Sequence, residues 1–237
     1  MPSTLNVTTH SFTDGDALAR ALAERVAERL RSGIAERGAA LLAVSGGSTP
    51  VRFFQQLSRA ELDWSKVQVA LVDERWVPET HERSNARMVK TELLQHAATV
   101  AHFVPLYAGA PTPEAGMVAV RARVAALPYP FDAVVLGMGN DGHTASFFPG
   151  GDRLAEALDL AGTARVLPMR AAGAGEPRIT FTLPALLDTQ ALYLHIEGDT
   201  KRQLLADAQL GLGAAKEYPV RTVLTQTRVP VAVYWCP

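Results

Sequence analysis

The fold is decided by the stretch AALLAVSGGSTPVRFFQQL, residues 39–57. It opens with a short apolar run that stops at Ser45-Gly46-Gly47, which is typical of a buried strand followed by a tight turn. Thr49, a residue type that caps helices, then precedes Pro50, which suits a first helical turn. The stretch therefore predicts a strand, a glycine turn and a helix that runs through Leu57.

The same alternation continues on both sides of this stretch. An apolar residue at every fourth position from Leu18 to Leu30 predicts an amphipathic helix that ends near Gly33. We predict further strands at 67–72, 102–106, 131–136, 165–167, 178–183, 191–196 and 231–235. Further helices are predicted at 85–95 (capped by Ser84), 113–126 (capped by Thr112), 153–158 and 201–208. This order indicates an α/β fold, a mostly parallel sheet with helices on both faces, in a single domain of residues 1–237.

Composition and charge exclude several classes of protein. The chain has 237 residues, of which 48% are apolar, so it is not a disordered protein. Its 23 basic and 24 acidic side chains leave a formal charge of -1, so no net field attracts nucleic acid or an anionic membrane. No apolar run is long enough for a membrane helix, and residues 1–16 lack the apolar stretch of a signal peptide. The single cysteine, Cys236, can form no internal disulfide, which suits a reducing compartment. We expect a cytoplasmic protein, either a monomer or a weak homodimer, with no nucleic-acid or membrane partner.

The glycine turn is a candidate phosphate site. Gly46 and Gly47 let the backbone approach an anion, the hydroxyls of Ser48 and Thr49 can donate to it, and the next helix presents its unpaired amides. Because the turn has neither the lysine of a P-loop nor G-x-G-x-x-G spacing, a sugar phosphate is favoured over a nucleoside triphosphate. The alternative is a tight turn with a helix cap and no ligand.

Cations follow other predicted strands. Residues 73–75 (Asp-Glu-Arg) come directly after one of them, where we do not expect charged side chains to enter the core. Arg75 can fork onto a phosphate or a carboxylate, and the alternative is a solvated loop whose charges pair among themselves. Lys201 follows the strand at 191–196, and Arg178 lies near the start of another strand; both are further candidate anion contacts, although a surface lysine is the usual alternative.

The loop at 137–146, GMGNDGHTAS, places an imidazole on a sharp turn. His143 has Asp141 two residues earlier to orient its ring, which is typical of a general base. For the other histidines we expect ordinary structural or surface roles: His10, His81, His96, His102 and His195. No group of side chains shows metal-ligand spacing such as H-E-x-x-H or C-x-x-C, so we expect no metal site.

The same loop also matches a dinucleotide-binding fingerprint. Gly137, Gly139 and Gly142 satisfy G-x-G-x-x-G, but a titratable His143 stands where that motif requires apolar helix packing. A nicotinamide dehydrogenase is therefore an alternative that rests on three glycines alone.

Five motifs taken in order resemble the family of the 6-phosphogluconolactonases and glucosamine-6-phosphate deaminases. They are SGGSTP at 45–50, DERWV at 73–77, SNARM at 84–88, GMGNDGHTAS at 137–146 and RITFTLP at 178–184. The forms at 73–75 and 142–146 are closer to the lactonases. The resemblance covers nearly the whole chain and implies a Rossmann-like α/β fold, no metal or organic cofactor, and hydrolysis of a sugar phosphate lactone in the oxidative pentose phosphate pathway.

The resemblance also implies residue roles. It implies that the loop of Gly46, Gly47, Ser48 and Thr49, together with Arg75 and Lys201, holds the substrate phosphate, and that His143 is the general base. Lactone hydrolysis needs an activated water, a stabilised oxyanion and a proton for the ring oxygen that leaves, and one histidine can serve the first and last of these tasks. The catalytic residues we predict are His143, Asp141 and Arg75. The oxyanion donor stays open between backbone amides near Gly142 and a cation such as Arg75.

Two other functions stay open. A glucosamine-6-phosphate isomerase and deaminase would use Asp73 to move a proton between sugar carbons, but the segment after His143 has no acidic residue before Asp152. A non-catalytic sugar-phosphate sensor would need a DNA-binding module, and the residues before the strand at 39–44 contain no second helix for a helix-turn-helix.

Overall fold

The computed structural model describes residues 6–237, so residues 1–5 of the predicted domain lie outside the described part. The strands are β1 (Val7–Ser11), β2 (Ala40–Val44), β3 (Val67–Leu71), β4 (Asp73–Arg75), β5 (His102–Val104), β6 (Ala133–Leu136), β7 (Val166–Met169), β8 (Arg178–Phe181), β9 (Leu192–Glu197) and β10 (Val231–Cys236). The α-helices are α1 (Gly15–Arg37), α2 (Val51–Leu57), α3 (Asn85–Glu92), α4 (Pro113–Ala125), α5 (Leu154–Leu158), α6 (Leu183–Leu186), α7 (Asp199–Leu210) and α8 (Pro219–Thr225).

Seven of the strands form one parallel sheet in the order β1-β10-β9-β6-β2-β3-β5. All five residues of β2 are buried, and successive side chains of a strand point to opposite faces, so both faces of the sheet are covered. On one face α1 packs against β2, β10 and the neighbouring α2. The predicted α/β class, a Rossmann-like and mostly parallel sheet flanked by helices, is confirmed.

The order of the strands locates a crevice. The chain runs from β2 to β3 and β5 on one side, then returns to place β6 and β9 on the other side of β2. In open parallel sheets, ligands bind outside the carboxyl ends of the strands where the order reverses in this way. Here that point lies between the loop after β2 and the loop after β6, which are two of the predicted site loops.

A second, smaller sheet corrects part of the predicted strand pattern. We predicted the segments 165–167 and 178–183 as members of the alternating strand–helix series, and 73–75 as a loop. Instead β7 and β8 are joined by a short connection and pair antiparallel, and β4 pairs antiparallel with β8, which gives a three-stranded sheet in the order β4-β8-β7. A connection of a few residues between strands permits only this orientation, since a parallel pair needs a long crossover.

The first helix is longer than predicted. Asp14 caps α1 by accepting a hydrogen bond from the amide of Ala17 at 2.8 Å, and Gly38 ends it in a left-handed conformation with φ of 77°. Gly33, where we predicted the end, lies inside the helix, and a side chain there would overlap the carboxylate of Asp132. This glycine therefore serves a close approach between elements and not a helix end.

Within residues 6–237 no helix has the length and hydropathy needed to cross a membrane.

Candidate active site

A cleft of about 370 Å³ opens at the carboxyl ends of the central strands. It brings together the four predicted loops, which lie far apart in the sequence. The predicted site residues in its wall are Gly46, Gly47, Ser48, Thr49, Arg75, His143, Arg178 and Lys201. Asp141 does not line the cleft but contacts His143, which does.

The turn after β6 holds His143 against Asp141. The amide of Gly139 donates to the carbonyl of His143 at 2.9 Å, and Gly142 takes a left-handed conformation with φ of 73°, so the chain folds back sharply. His143 Nδ1 then lies 2.5 Å from Asp141 Oδ1, which also accepts the amide of His143 at 3.2 Å. A side chain at Gly139 would overlap the imidazole. The turn therefore leaves Nε2 as the ring nitrogen available to a ligand.

Charge supports this arrangement. Burial acts to raise the pKa of Asp141, but the charge of His143 and the hydrogen bonds to it lower that pKa below its ordinary value. An ionised Asp141 accepts from Nδ1–H and stabilises an imidazolium, as a base that gains a proton requires.

Two of the four cations in the cleft are neutralised by carboxylates. Arg83 lies 3.0 Å from Glu176, and Arg178 lies 3.6 Å from Asp73. Within residues 6–237 neither Arg75 nor Lys201 has a carboxylate oxygen within 4.0 Å. Positive charge in the cleft is thus uncompensated at these two residues, which both were predicted to contact an anion.

Arg178 differs from the other predicted anion contacts. Its side chain is almost fully buried, and burial lowers the pKa of its guanidinium despite the opposing charge of Asp73. It donates to the carbonyl of Ala174 at 2.7 Å, and its Nε has no hydrogen-bond partner in the described chain. Arg178 therefore lines the cleft, but Asp73 already balances its charge. Its contact with substrate stays a prediction.

Asn85 connects the glycine turn to Arg75. Its side-chain oxygen accepts a hydrogen bond from Arg75 Nη1, and its Nδ2 donates to the carbonyl of Asp73 at 3.0 Å. Arg75 Nη1 also donates to the carbonyl of Arg83 at 3.2 Å. A side chain at Gly46 would overlap the amide of Asn85, so the absence of a Cβ there lets the two loops touch. The guanidinium of Arg75 is thereby held in one orientation.

Two acidic residues next to Arg75 are buried, contrary to our expectation for residues 73–75. Glu74 is fully buried because its carboxylate accepts the amides of Arg75, Asn85 and Ala86. Burial nevertheless raises the pKa of Glu74. Asp73 accepts a hydrogen bond from Ser146 Oγ at 2.5 Å. Buried acids are tolerated here since each has polar partners, which the sequence alone does not show.

Thr49 is not the helix cap that we predicted. The N-cap position of α2 is Pro50, which has no side-chain hydrogen bond. Ser48 and Thr49 line the cleft, and the conformation of Gly47, with φ of 93°, turns the chain between β2 and α2. Both residues line the same cavity as Lys201.

Lys201 enters the cleft from the first turn of α7. Gly198, with φ of 92°, makes the turn from β9 into this helix. Burial lowers the pKa of Lys201, and the charge of Glu197 opposes that shift. A half-buried ammonium without an ion-pair partner is a suitable contact for an anionic ligand.

Three cleft residues were missed or given another role. We expected no site role for His195, we did not single out Arg83, and we predicted Asn85 only as the residue after a helix cap. The cap itself is confirmed, because Ser84 Oγ accepts the amide of Arg87 at 3.2 Å. The signal that could have found His195 is its position two residues before Glu197 near the end of a strand, which places both side chains on one face.

The fold and the cleft together define the class of protein: a Rossmann-like α/β domain with a cationic cleft and an imidazole–carboxylate pair at the carboxyl edge of its sheet. The chain belongs to the family of glucosamine-6-phosphate isomerases/6-phosphogluconolactonase, whose model matches residues 13–235.

Its relatives point to one branch of this family. A 6-phosphogluconolactonase of Rhizobium meliloti (strain 1021) is 54% identical over 228 residues, which cover 96% of this chain and 98% of the relative. One of Pseudomonas aeruginosa is 44% identical over 219 residues, which cover 92% and 90%. The crystal structure of a 6-phosphogluconolactonase from Shewanella baltica OS155 matches with a TM-score of 0.91 and 39% identity over 98% of both chains. The family resemblance and its lactonase form are confirmed.

Proposed function

We propose that this chain hydrolyses 6-phospho-D-glucono-1,5-lactone to 6-phosphogluconate in the oxidative pentose phosphate pathway. The observation that carries the proposal is that one cleft holds the His143 imidazole beside two uncompensated cations, Arg75 and Lys201. The imidazole suits water activation, and the cations suit a substrate phosphate. The lactonases among its relatives support the same reaction.

In the proposed mechanism His143 acts twice. Its Nε2 takes a proton from a water molecule as the water oxygen attacks the lactone carbonyl, which gives a tetrahedral oxyanion. When this intermediate collapses, the bond from the carbonyl carbon to the ring oxygen breaks, and the imidazolium returns the proton to that oxygen. Asp141 holds Nδ1 throughout and favours the charged ring. The steps use only water and groups of this chain.

We assign the substrate phosphate to the glycine turn. Gly46 and Gly47 leave room for an anion close to the backbone, and Ser48 and Thr49, which carry hydroxyl donors, line the same cavity as Lys201. Arg75 reaches the cavity from β4 with its orientation set by Asn85. Arg178 completes the wall beside these groups.

The alternative function, isomerisation and deamination of glucosamine 6-phosphate, would require Asp73 to move protons on the sugar. Its carboxylate already accepts a hydrogen bond from Ser146 Oγ and lies 3.6 Å from Arg178, so groups of the protein engage it and it is not free to act on a sugar carbon. This arrangement favours the lactonase. A sugar-phosphate sensor without catalysis would use the same cleft and leave His143 without a task.

The decisive experiment follows freshly generated 6-phosphogluconolactone with and without the protein, against its spontaneous hydrolysis and with a chelator present. We expect loss well above the spontaneous rate, unchanged by the chelator. Decay at the background rate only would contradict the proposal, and release of ammonia from glucosamine 6-phosphate would then support the deaminase. Binding of either sugar phosphate without turnover would support the sensor.

The remaining expectations concern partners and location. We propose a cytoplasmic enzyme that acts as a monomer or a weak homodimer and binds no nucleic acid, because its formal charge of -1 provides no general attraction for polyanions.

A further inference from the structure

The turn that carries His143 is contacted from outside by a distant segment to which the mechanism above gives no role. This segment joins α7 to α8, and its Tyr218 lies directly before α8. A Cβ placed on Gly142 would stand 2.4 Å from Cγ and 2.6 Å from Cδ2 of Tyr218, so the tyrosine ring lies directly on the glycine. The amide of Val220 donates to the carbonyl of the same glycine at 3.0 Å. Gly142 is thus held at its Cα and at its carbonyl by one neighbouring segment.

The pair of His143 and Asp141 needs support from outside because it is internal to one turn. In the part of the chain that the structure describes, the hydrogen bonds of the Asp141 side chain go to His143, at 2.5 Å to Nδ1 and 3.2 Å to the amide. The amide of Gly139 closes the turn onto the carbonyl of His143. These bonds fix the imidazole relative to the turn, but they do not fix the turn relative to the cations of the cleft. The position of the base therefore also depends on the contacts that hold the turn.

Tyr218 is itself fixed by hydrogen bonds of its backbone on both sides. Its amide donates to the carbonyl of Ala215 at 3.2 Å, and its carbonyl accepts the amide of Arg221 at 2.9 Å. The guanidinium of Arg221 donates to the carbonyls of Ala208 and Gln209, at 2.7 and 3.0 Å, and so ties α8 to the end of α7. The tyrosine therefore belongs to a connected segment that can serve as a fixed support.

The contact is made by carbon atoms of Tyr218 and not by its hydroxyl. The atoms nearest to a Cβ on Gly142 are Cγ, Cβ and Cδ2, all of which phenylalanine shares. Gly142 has φ of 73°, so a side chain there would be strained and would also overlap the tyrosine ring. This one glycine therefore serves both the sharp turn and the close approach of Tyr218.

We propose that Tyr218 is a positioning residue for the general base. Its ring, together with the amide of Val220, holds Gly142 and thereby keeps Nε2 of His143 in the place from which it activates the attacking water. The inference rests on the proposed function, since it concerns His143 as the base of lactone hydrolysis. Within residues 6–237 the wall of the cleft does not include Tyr218, so the tyrosine acts on turnover through the imidazole and not through contact with substrate.

The first test replaces the tyrosine. Tyr218→Ala removes the ring from Gly142, and we expect kcat for 6-phosphogluconolactone to fall roughly 10- to 100-fold with little change in KM, because a small misplacement of a catalytic group costs about that much. Tyr218→Phe should keep the wild-type kcat, since it retains the carbons that make the contact. Val223→Ala, which truncates a fully buried side chain of the same helix, is the control for a purely structural effect. It should lower stability to urea and leave kcat and KM unchanged.

The second test separates the position of the base from the binding of the phosphate. Calorimetric titration with the product, 6-phosphogluconate, should give the wild-type affinity for Tyr218→Ala and a weaker affinity for Lys201→Ala. Val220→Pro tests the other contact to Gly142 alone, because proline has no amide hydrogen and is tolerated in the first turn of a helix. We expect this variant to lower kcat and keep product affinity, as Tyr218→Ala does.

Several outcomes would overturn the inference. They are an unchanged kcat in Tyr218→Ala, an equal loss of kcat in Tyr218→Phe or Val223→Ala, or a loss of product affinity in Tyr218→Ala as large as that in Lys201→Ala. If Tyr218→Ala does not fold, Val220→Pro decides in its place. Failure of the proposed function gives a different result, because the wild-type protein itself then leaves the lactone to decay at its spontaneous rate.

Discussion

The ring of Phe148 lies against the imidazole of His143, with the ring centres 4.4 Å apart and the planes inclined by 30°. Asp141 holds the Nδ1 edge of the same imidazole. Phe148 therefore fixes the plane of the imidazole, and Asp141 fixes the position of its Nδ1 edge. With both fixed, Nε2 keeps its direction without help from a bound ligand. Such preorganisation is what a general base for water requires.

Replacement of this base should remove catalysis and spare binding. We expect His143→Gln to lower kcat for 6-phosphogluconolactone by roughly 100- to 10,000-fold, because proton transfer by a positioned side chain contributes about that much. KM should stay near the wild-type value, since the cations to which we assign the phosphate are untouched. Steady-state kinetics corrected for spontaneous hydrolysis measure both constants, with exposed His10→Gln as the control. Turnover at the wild-type rate would contradict the mechanism.

Loss of an uncompensated cation should weaken binding. We expect Arg75→Ala to raise KM for the phosphorylated lactone by about 10- to 150-fold, the range of a hydrogen bond to a charged group, with a smaller effect on kcat. Lys201→Ala should act in the same direction. Lys216→Ala, an exposed lysine outside the cleft lining, should change neither constant. A loss confined to kcat in Arg75→Ala would instead assign this guanidinium to the oxyanion.

The contact between the glycine turn and Asn85 gives a steric prediction. A methyl group at Gly46 would overlap the Asn85 amide, so Gly46→Ala must displace the partner that orients Arg75. We expect a destabilisation of about 1–3 kcal/mol and a raised KM, measured by denaturant unfolding and by kinetics. Gly173→Ala is the matched control, because Gly173 also lines the cleft but its added methyl meets nothing within 4 Å. Equal effects of the two variants would contradict the steric explanation.

Burial of Glu74 gives a prediction about pH. Because burial raises the pKa of Glu74 above its ordinary value of 4.5, the folded chain holds this proton more tightly than the unfolded chain does. The stability that Glu74 contributes is fully present below pH 4.5 and is lost as the pH rises through the folded value. Glutamine does not titrate, so the stability of wild type relative to Glu74→Gln should fall as the pH rises above the ordinary value of 4.5.

Urea unfolding at a series of pH values measures this difference. Exposed Glu217→Gln corrects for the general loss of one negative charge. A wild type that gains stability relative to Glu74→Gln as the pH rises would show that the amide hydrogen bonds to the carboxylate outweigh its burial.

Much of the fold could be predicted because local signals agree with the final packing. The apolar run and glycine turn in residues 39–57 gave β2 and α2 nearly to the residue, and the caps Ser84 and Thr112 are where we predicted them. The strand β1 was missed because four of its five residues are exposed and polar, and it is a strand only through its pairing with β10 at the sheet edge. The pairing of β4 with β8 is equally a long-range property.

The candidate site, like the fold, could be predicted from the sequence only in part. The loops at strand ends were predictable, since parallel strands deliver their carboxyl ends to one edge of a sheet. Which cations of the cleft are neutralised could not be predicted, because the ion pair of Arg178 with Asp73 joins residues about a hundred positions apart in the sequence. The position of His195 in the cleft wall depends likewise on the way α2 packs over β9.

The separate anchoring of the loops has a consequence for how such proteins diversify. Gly46, Arg75, His143 and Lys201 enter one cleft from four different strand ends, and each loop is supported by its own strand. The loops contact one another through Asn85 and Ser146, but a change in one loop leaves the strands beneath the others paired as before. A frame of this kind allows a single segment to change the chemistry of the cleft, which is in keeping with a family whose description includes both isomerases and a lactonase.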